Sequence, residues 1–182
     1  MSTKLLAQYC APTLAGLKVS NLFTYQFTSL DLLNRSLEAL NQLLNKKGIY
    51  FTILKIMKNK ALIFVYRKNV LIELLSNSEI QEFLLGFGYE DFNLEACFFI
   101  LKKHLLNSDF PHEIGVFLGY PLNDIEAFIK YKGTDFKCVG CWKVYTNELE
   151  AKKVFTTFNK CTKIYLECAR NGFNLKRLTV AS

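Results

Sequence analysis

Two stretches of β-branched and aromatic residues, 49–57 and 61–66, stand either side of a short polar break, Lys58-Asn59-Lys60. Such runs fit a pleated, half-buried surface, and a polar interval this short between two of them is a β-hairpin signature, here without the favoured Asn-Gly pair. Just upstream, Leu33, Leu37, Leu40 and Leu44 recur at helical spacing from a cap at Thr28 or Ser29 to a stop at Gly48. A helix feeding directly into a hairpin requires layers that mix the two kinds of element.

The remaining segments extend the same pattern. Residues 3–10 form a short helix that Pro12 should end at Ala11, because the residue before a proline is driven out of helical geometry. Residues 21–26 read as extended. Two helical runs, 70–75 and 79–85, are divided by Asn77 and Ser78, and Leu94, Cys97, Phe98, Leu101 and Leu105 mark one face of an amphipathic helix. The apolar run 114–118 between Pro111 and Gly119 reads as a strand. Residues 122–131 read as a helix, with Pro121 near its first turn and Gly133 past its end, and 139–145 as another strand. Strand, helix and strand in that order predict a right-handed crossover joining two parallel strands. Asn147 caps a final long helix, with Glu150 placed for a capping box and Gly172 as its stop. The expected class is α+β or α/β: a single domain over residues 1–182, with a small mixed sheet of about four strands (the hairpin plus the parallel crossover pair) under roughly five or more helices.

Composition narrows the environment. Hydrophobic residues make up 51% of the chain and 16 are Phe, which excludes a disordered chain. Residues 1–8 lack the apolar core of a signal peptide, and no window approaches the roughly 18 apolar residues of a membrane span, so a cytoplasmic location without membrane contact is expected. In that compartment the six Cys are expected to be reduced thiols, most of them in the core.

The net charge of +7 is unevenly placed. No acid lies between Glu38 and Glu73, whereas Lys46, Lys47, Lys55, Lys58, Lys60, Arg67 and Lys68 all do. One reading is a solvated hairpin rim. The other is a landing patch for an acidic protein, a phosphate or, as the weaker option, nucleic acid.

Three sets of residues carry candidate chemistry. Cys138 and Cys141 have the spacing of a chelating or redox pair, yet in an extended run they point to opposite faces with Cα atoms about 10 Å apart, and no second ligand pair has zinc spacing; no metal is expected. Cys10 and His112 are the residues that resemble a thiol nucleophile with its base, which requires hydrogen-bond reach in space. The predicted crossover points to the Gly119–Asp124 loop, with Gly119, Tyr120 and Asn123, and to the Tyr145-Thr146-Asn147 loop, beyond the carboxyl ends of the two strands; Trp142 and Lys143, near the end of the second strand, join them as candidate binding residues. Two helix N-termini there would attract an anion, in competition with Asp124, Glu126, Glu148 and Glu150. The residues name no cofactor.

Three segments carry a resemblance: Cys10-Ala11-Pro12-Thr13-Leu14-Ala15-Gly16-Leu17-Lys18, then Phe110 through Pro121, then Trp142-Lys143-Val144-Tyr145. In these the chain resembles the bacterial, chiefly clostridial and Firmicutes, domain-of-unknown-function family thirty-seven ninety-three, over nearly its whole length. The resemblance implies no activity to carry over. It marks Cys10, Pro12, Lys18, His112, Glu113, Gly119, Tyr120, Trp142, Lys143 and Tyr145 as motif positions, with Tyr9 and Cys141 as departures from the family pattern.

Three functions follow as expectations. The first is a non-catalytic binding or accessory protein serving an acidic redox partner through the basic hairpin. The second is a Cys-dependent acyl- or thiol-transfer enzyme using Cys10 and His112. The third is an anion or nucleotide binder at the Gly119 and Tyr145 loops. Whether the chain is catalytic at all stays open at this level.

Overall fold

The computed structural model describes residues 1–107 and 110–181. Helix α1 (Thr3–Leu14) leads into strand β1 (Ser20–Gln26), helix α2 (Leu30–Leu44) and the hairpin of β2 (Ile49–Met57) and β3 (Lys60–Arg67). These three strands form an antiparallel sheet in the order β1-β3-β2. Ser29 caps α2 through its side chain, and Gly48 follows it at φ 80°, the left-handed geometry that a helix stop before a strand requires. A bulge between Ile53 and Lys55 shifts the β2–β3 register by one residue.

The central strand explains the two cores. Every residue of β3 after Lys60 is buried, so both of its faces are covered. Ala61, Ile63 and Val65 pack with Leu6, Cys10 and Leu14 of α1 and the Leu33–Leu37–Leu40–Leu44 stripe of α2. Leu62, Phe64 and Tyr66 face the other way, alternating as a strand must. They meet α3 (Lys68–Leu75), α4 (Ser78–Leu85), α5 (Leu94–Asn107), α6 (Ile114–Phe117) and α7 (Leu122–Lys130) through Leu71, Leu75, Leu84, Leu101, Phe117 and Ile125. A short hairpin, β4 (Cys138–Val139) with β5 (Lys143–Val144), precedes the long α8 (Glu148–Arg170), which runs beside α1; α9 (Leu175–Leu178) closes the described chain. The fold is mixed α+β.

Three expectations need correction. The run 114–118 is a helix and not a strand: Ile114, Gly115, Val116, Phe117 and Leu118 are all buried, so the segment has no polar side to impose a period, and a short apolar run of this kind fits either element. With it the parallel crossover disappears. Both sheets are antiparallel, and 139–145 is two short paired strands around a turn. Pro12 does not end α1 at Ala11 but lies inside it; Leu17 and Lys18 donate their N–H groups to its carbonyl, so the helix closes one turn later. The hydrogen bond that Pro12 withholds would have gone to the carbonyl of Gln8, an exposed residue where the loss is tolerable.

Candidate ligand site

Asp124 organises the region where α6, α7, the β4–β5 hairpin and the start of α8 meet. It sits in the first turn of α7, only 3% exposed. Its Oδ1 accepts from the backbone N–H of Tyr145 (2.9 Å), the backbone N–H of Thr146 (2.9 Å) and the Thr146 hydroxyl (2.8 Å). The indole Nε1–H of Trp142 donates to Oδ2 at 2.8 Å. Burial pushes the Asp124 carboxyl up, but these donors outweigh it and hold the group below its ordinary range, so it stays ionised. The anion position that the sequence located at the Tyr145 loop is therefore filled by the chain's own carboxylate.

Trp142 and Asp124 form a shared wall between two cavities. The smaller, about 360 Å³, is an aromatic chamber lined by Phe110, His112, Tyr120, Phe128 and Trp142, with Cys141 and Lys143 at its edge. Tyr120 and Trp142 lie tilted by 30° with ring centroids 5.2 Å apart, and His112 meets Phe128 edge-on at 5.1 Å. Lys143 donates to the Gly133 carbonyl at 2.7 Å, with its ammonium 5.7 Å from the Phe128 ring centroid. Burial, reinforced by nearby Cys141, pushes the Tyr120 hydroxyl up to about 12. The larger cavity, about 700 Å³, is a cleft between α3–α4 and the first turns of α8, floored by Leu17, Lys18, Val19 and Gly119. Gly119 has φ 70°, and a Cβ there would stand 2.5 Å from Val19 Cγ1, so only glycine lets this loop close on the end of β1.

The sequence-derived candidates divide. His112, Tyr120, Trp142 and Lys143 gather on the aromatic chamber, and Gly119 on the cleft. Asn123 and Tyr145 line neither; Tyr145 is buried, stacked on Tyr131 at 5.9 Å. Cys10 is fully buried in the α1–α2 core, where burial drives its thiol far from ionisation, while His112 is exposed on the chamber. Cys138 packs toward Val144, Ala151 and Phe155 of the α8 side, and Cys141 lies near Lys18 and Tyr120, so the pair is split across the hairpin.

The basic patch is not one surface. Arg67 is 3% exposed and donates to the carbonyls of Thr13, Leu14 and Val180, which corrects its reading as a surface contact. Lys47 is turned onto the carbonyls of Lys176 and Thr179, and Lys55 onto that of Leu105. Lys46, Lys58, Lys60 and Lys68 remain exposed, the last stacked over Tyr50.

Sequence reasoning missed Asp124 as an anchor and Cys141 as a wall residue. Their signal was present only as positions after Pro121 and before Trp142. It also missed a buried polar cluster: Glu113, 2% exposed, accepts from the Tyr89 hydroxyl at 3.3 Å and lies 2.6 Å from His104 Nδ1, tying α5 to the start of α6. Among the described residues no group of three or more His, Cys, Asp or Glu is placed to hold a metal, and no helix is long and apolar enough to cross a membrane.

No curated protein and no solved structure matches the chain. One family does, described as "Protein of unknown function (DUF3793)" and matched over residues 6–179. That span takes in most of α1, both sheets, the Asp124–Trp142 wall and α8, and the chain belongs to the DUF3793 family.

Proposed function

We propose that this chain is a binding protein whose aromatic chamber holds a small, flat, acidic molecule. The observation that carries the reading is the lining: Phe110, His112, Tyr120, Phe128 and Trp142 offer ring faces and edges to a planar guest, in a volume of about 360 Å³ that suits a small ligand. Its only carboxylate among the described residues, Asp124, has both oxygens engaged by donors, so no free negative charge opposes an acid. Lys143 and His112 supply hydrogen-bond donors at the edge. Cys10, buried and held away from ionisation, has no part in this reading.

Trp142 is the only tryptophan in the chain, so its fluorescence reports occupancy directly. Titration with benzoate and with flavin mononucleotide should give a saturable change that cyclohexanecarboxylate, equally acidic but not flat, fails to produce. A linear, unsaturable response to every flat acid sinks the reading.

A further inference from the structure

The larger cleft contains a group with no role so far. Three other half-buried lysines, Lys47, Lys55 and Lys143, donate to backbone carbonyls. Lys18 is half-buried and has no oxygen partner among the described residues; its ammonium rests 5.2 Å from the centroid of the Tyr120 ring. Desolvation lowers the pKa of that amine, an effect that its thiol neighbours Cys141 and Cys10 offset only in part.

An anion is a poor match for this cation, because Glu73 and Glu150 line the same cleft and repel one. What the cleft admits is an uncharged molecule, seated against Leu17, Val19, Leu74, Val154 and Phe158. We propose that Lys18 is a carbonyl-capturing amine, forming an imine with a neutral aldehyde or ketone held in the cleft. The ammonium first gives a proton to water. The free lone pair then attacks the carbonyl carbon, forming the C–N bond as the carbonyl π pair moves to oxygen. One N–H proton passes to that oxygen to give the carbinolamine, whose C–O bond then breaks as the nitrogen lone pair forms C=N and the second N–H proton leaves with the hydroxyl as water, so amine plus carbonyl yields imine plus one water with no oxidant or reductant. Protonated, the imine keeps a positive charge over the Tyr120 face, where the ring quadrupole stabilises it.

The test is reductive trapping on the intact chain. Butanal with sodium cyanoborohydride at neutral pH is followed by peptide mass spectrometry, which compares the labelling rate at Lys18 with that at exposed Lys58 in the same molecules. The rate at Lys18 is expected to exceed that at Lys58 about tenfold and to level off as butanal rises, whereas the rate at Lys58 stays linear. Glyoxylate, a carbonyl of the same chemistry carrying a charge, is expected to label Lys18 more slowly than butanal. A rate at Lys18 that is linear in butanal or no faster than at Lys58, or faster labelling by glyoxylate, overturns the proposal. Because both lysines are read in one wild-type sample, the outcome does not depend on a variant folding.

Discussion

The two cavities share a wall and differ in every property that matters to a ligand. On one side of Trp142 and Asp124 lies a chamber of ring faces with no free carboxylate; on the other, a larger cleft with Glu73 and Glu150 at its sides and the half-buried Lys18, its ammonium over the Tyr120 ring, on its floor. Asp124 makes this possible, because spending both of its oxygens on Trp142, Tyr145 and Thr146 removes its charge from the chamber's hydrogen-bonding and fixes the indole that separates the spaces. A single well-satisfied carboxylate thus divides one region into two chemically distinct sites.

The heaviest blow to that division is Asp124→Ala. It strands the buried N–H of Tyr145 and leaves the indole and the Thr146 groups without their acceptor, at an expected cost of about 3 kcal/mol, read by urea denaturation. Both the Trp142 fluorescence response and the saturable labelling of Lys18 should be lost together. The same anchor sets an acid limit. Asp124 has its carboxyl depressed in the folded state, so its contribution is fully present above its unfolded value of about 4 and is lost as pH falls through the lower folded value. Stability measured between pH 6 and pH 3 should fall at the acid end, and Asp124→Asn should flatten that fall.

Next in size is Gly140→Ala. A Cβ at Gly140 would run into the Phe155 ring, so either the hairpin lifts or α8 yields, at a cost of about 2 kcal/mol. Since Gly140 lines the chamber and not the cleft, ligand binding at Trp142 should weaken while labelling at Lys18 keeps its saturation. If both change in parallel, the two sites are not separable. Trp142→Phe is milder: it keeps an aromatic face against Tyr120 but deletes the bond to Asp124 Oδ2, and thermal denaturation should register about 1 kcal/mol.

The contrast between well-read and misread parts of the chain has a physical origin. The Leu33–Leu44 stripe and the Asn147-capped helix were legible because each has one buried and one wet side over enough residues for its period to show, and the 49–66 hairpin because two β-branched and aromatic runs flank a short polar turn. Residues 114–118 are wet on no side, so nothing in them distinguishes strand from helix, and the imagined parallel pair placed a ligand at strand ends that do not exist. Tyr120, Trp142 and Lys143 converged all the same, because the loops bearing them are brought together by Asp124 and not by a crossover. Arg67 was taken for surface charge because a guanidinium's three backbone-carbonyl partners, at positions 13, 14 and 180, are distant in sequence.

The smallest effect belongs to the hairpin turn. Lys58 and Lys60 are exposed, Lys58 at φ 50°, and neither lines the chamber or the cleft. Replacing both with Gln removes two positive charges that salt already screens beyond roughly 10 Å, so stability should change by less than about 0.5 kcal/mol. The fluorescence titration and the Lys18 labelling should both be unaltered at low and at physiological salt. A weakened response to benzoate at low salt alone would mean that long-range attraction from the hairpin feeds the chamber. The contrast between the two cavities would then rest on the field of the whole sheet as well as on their linings.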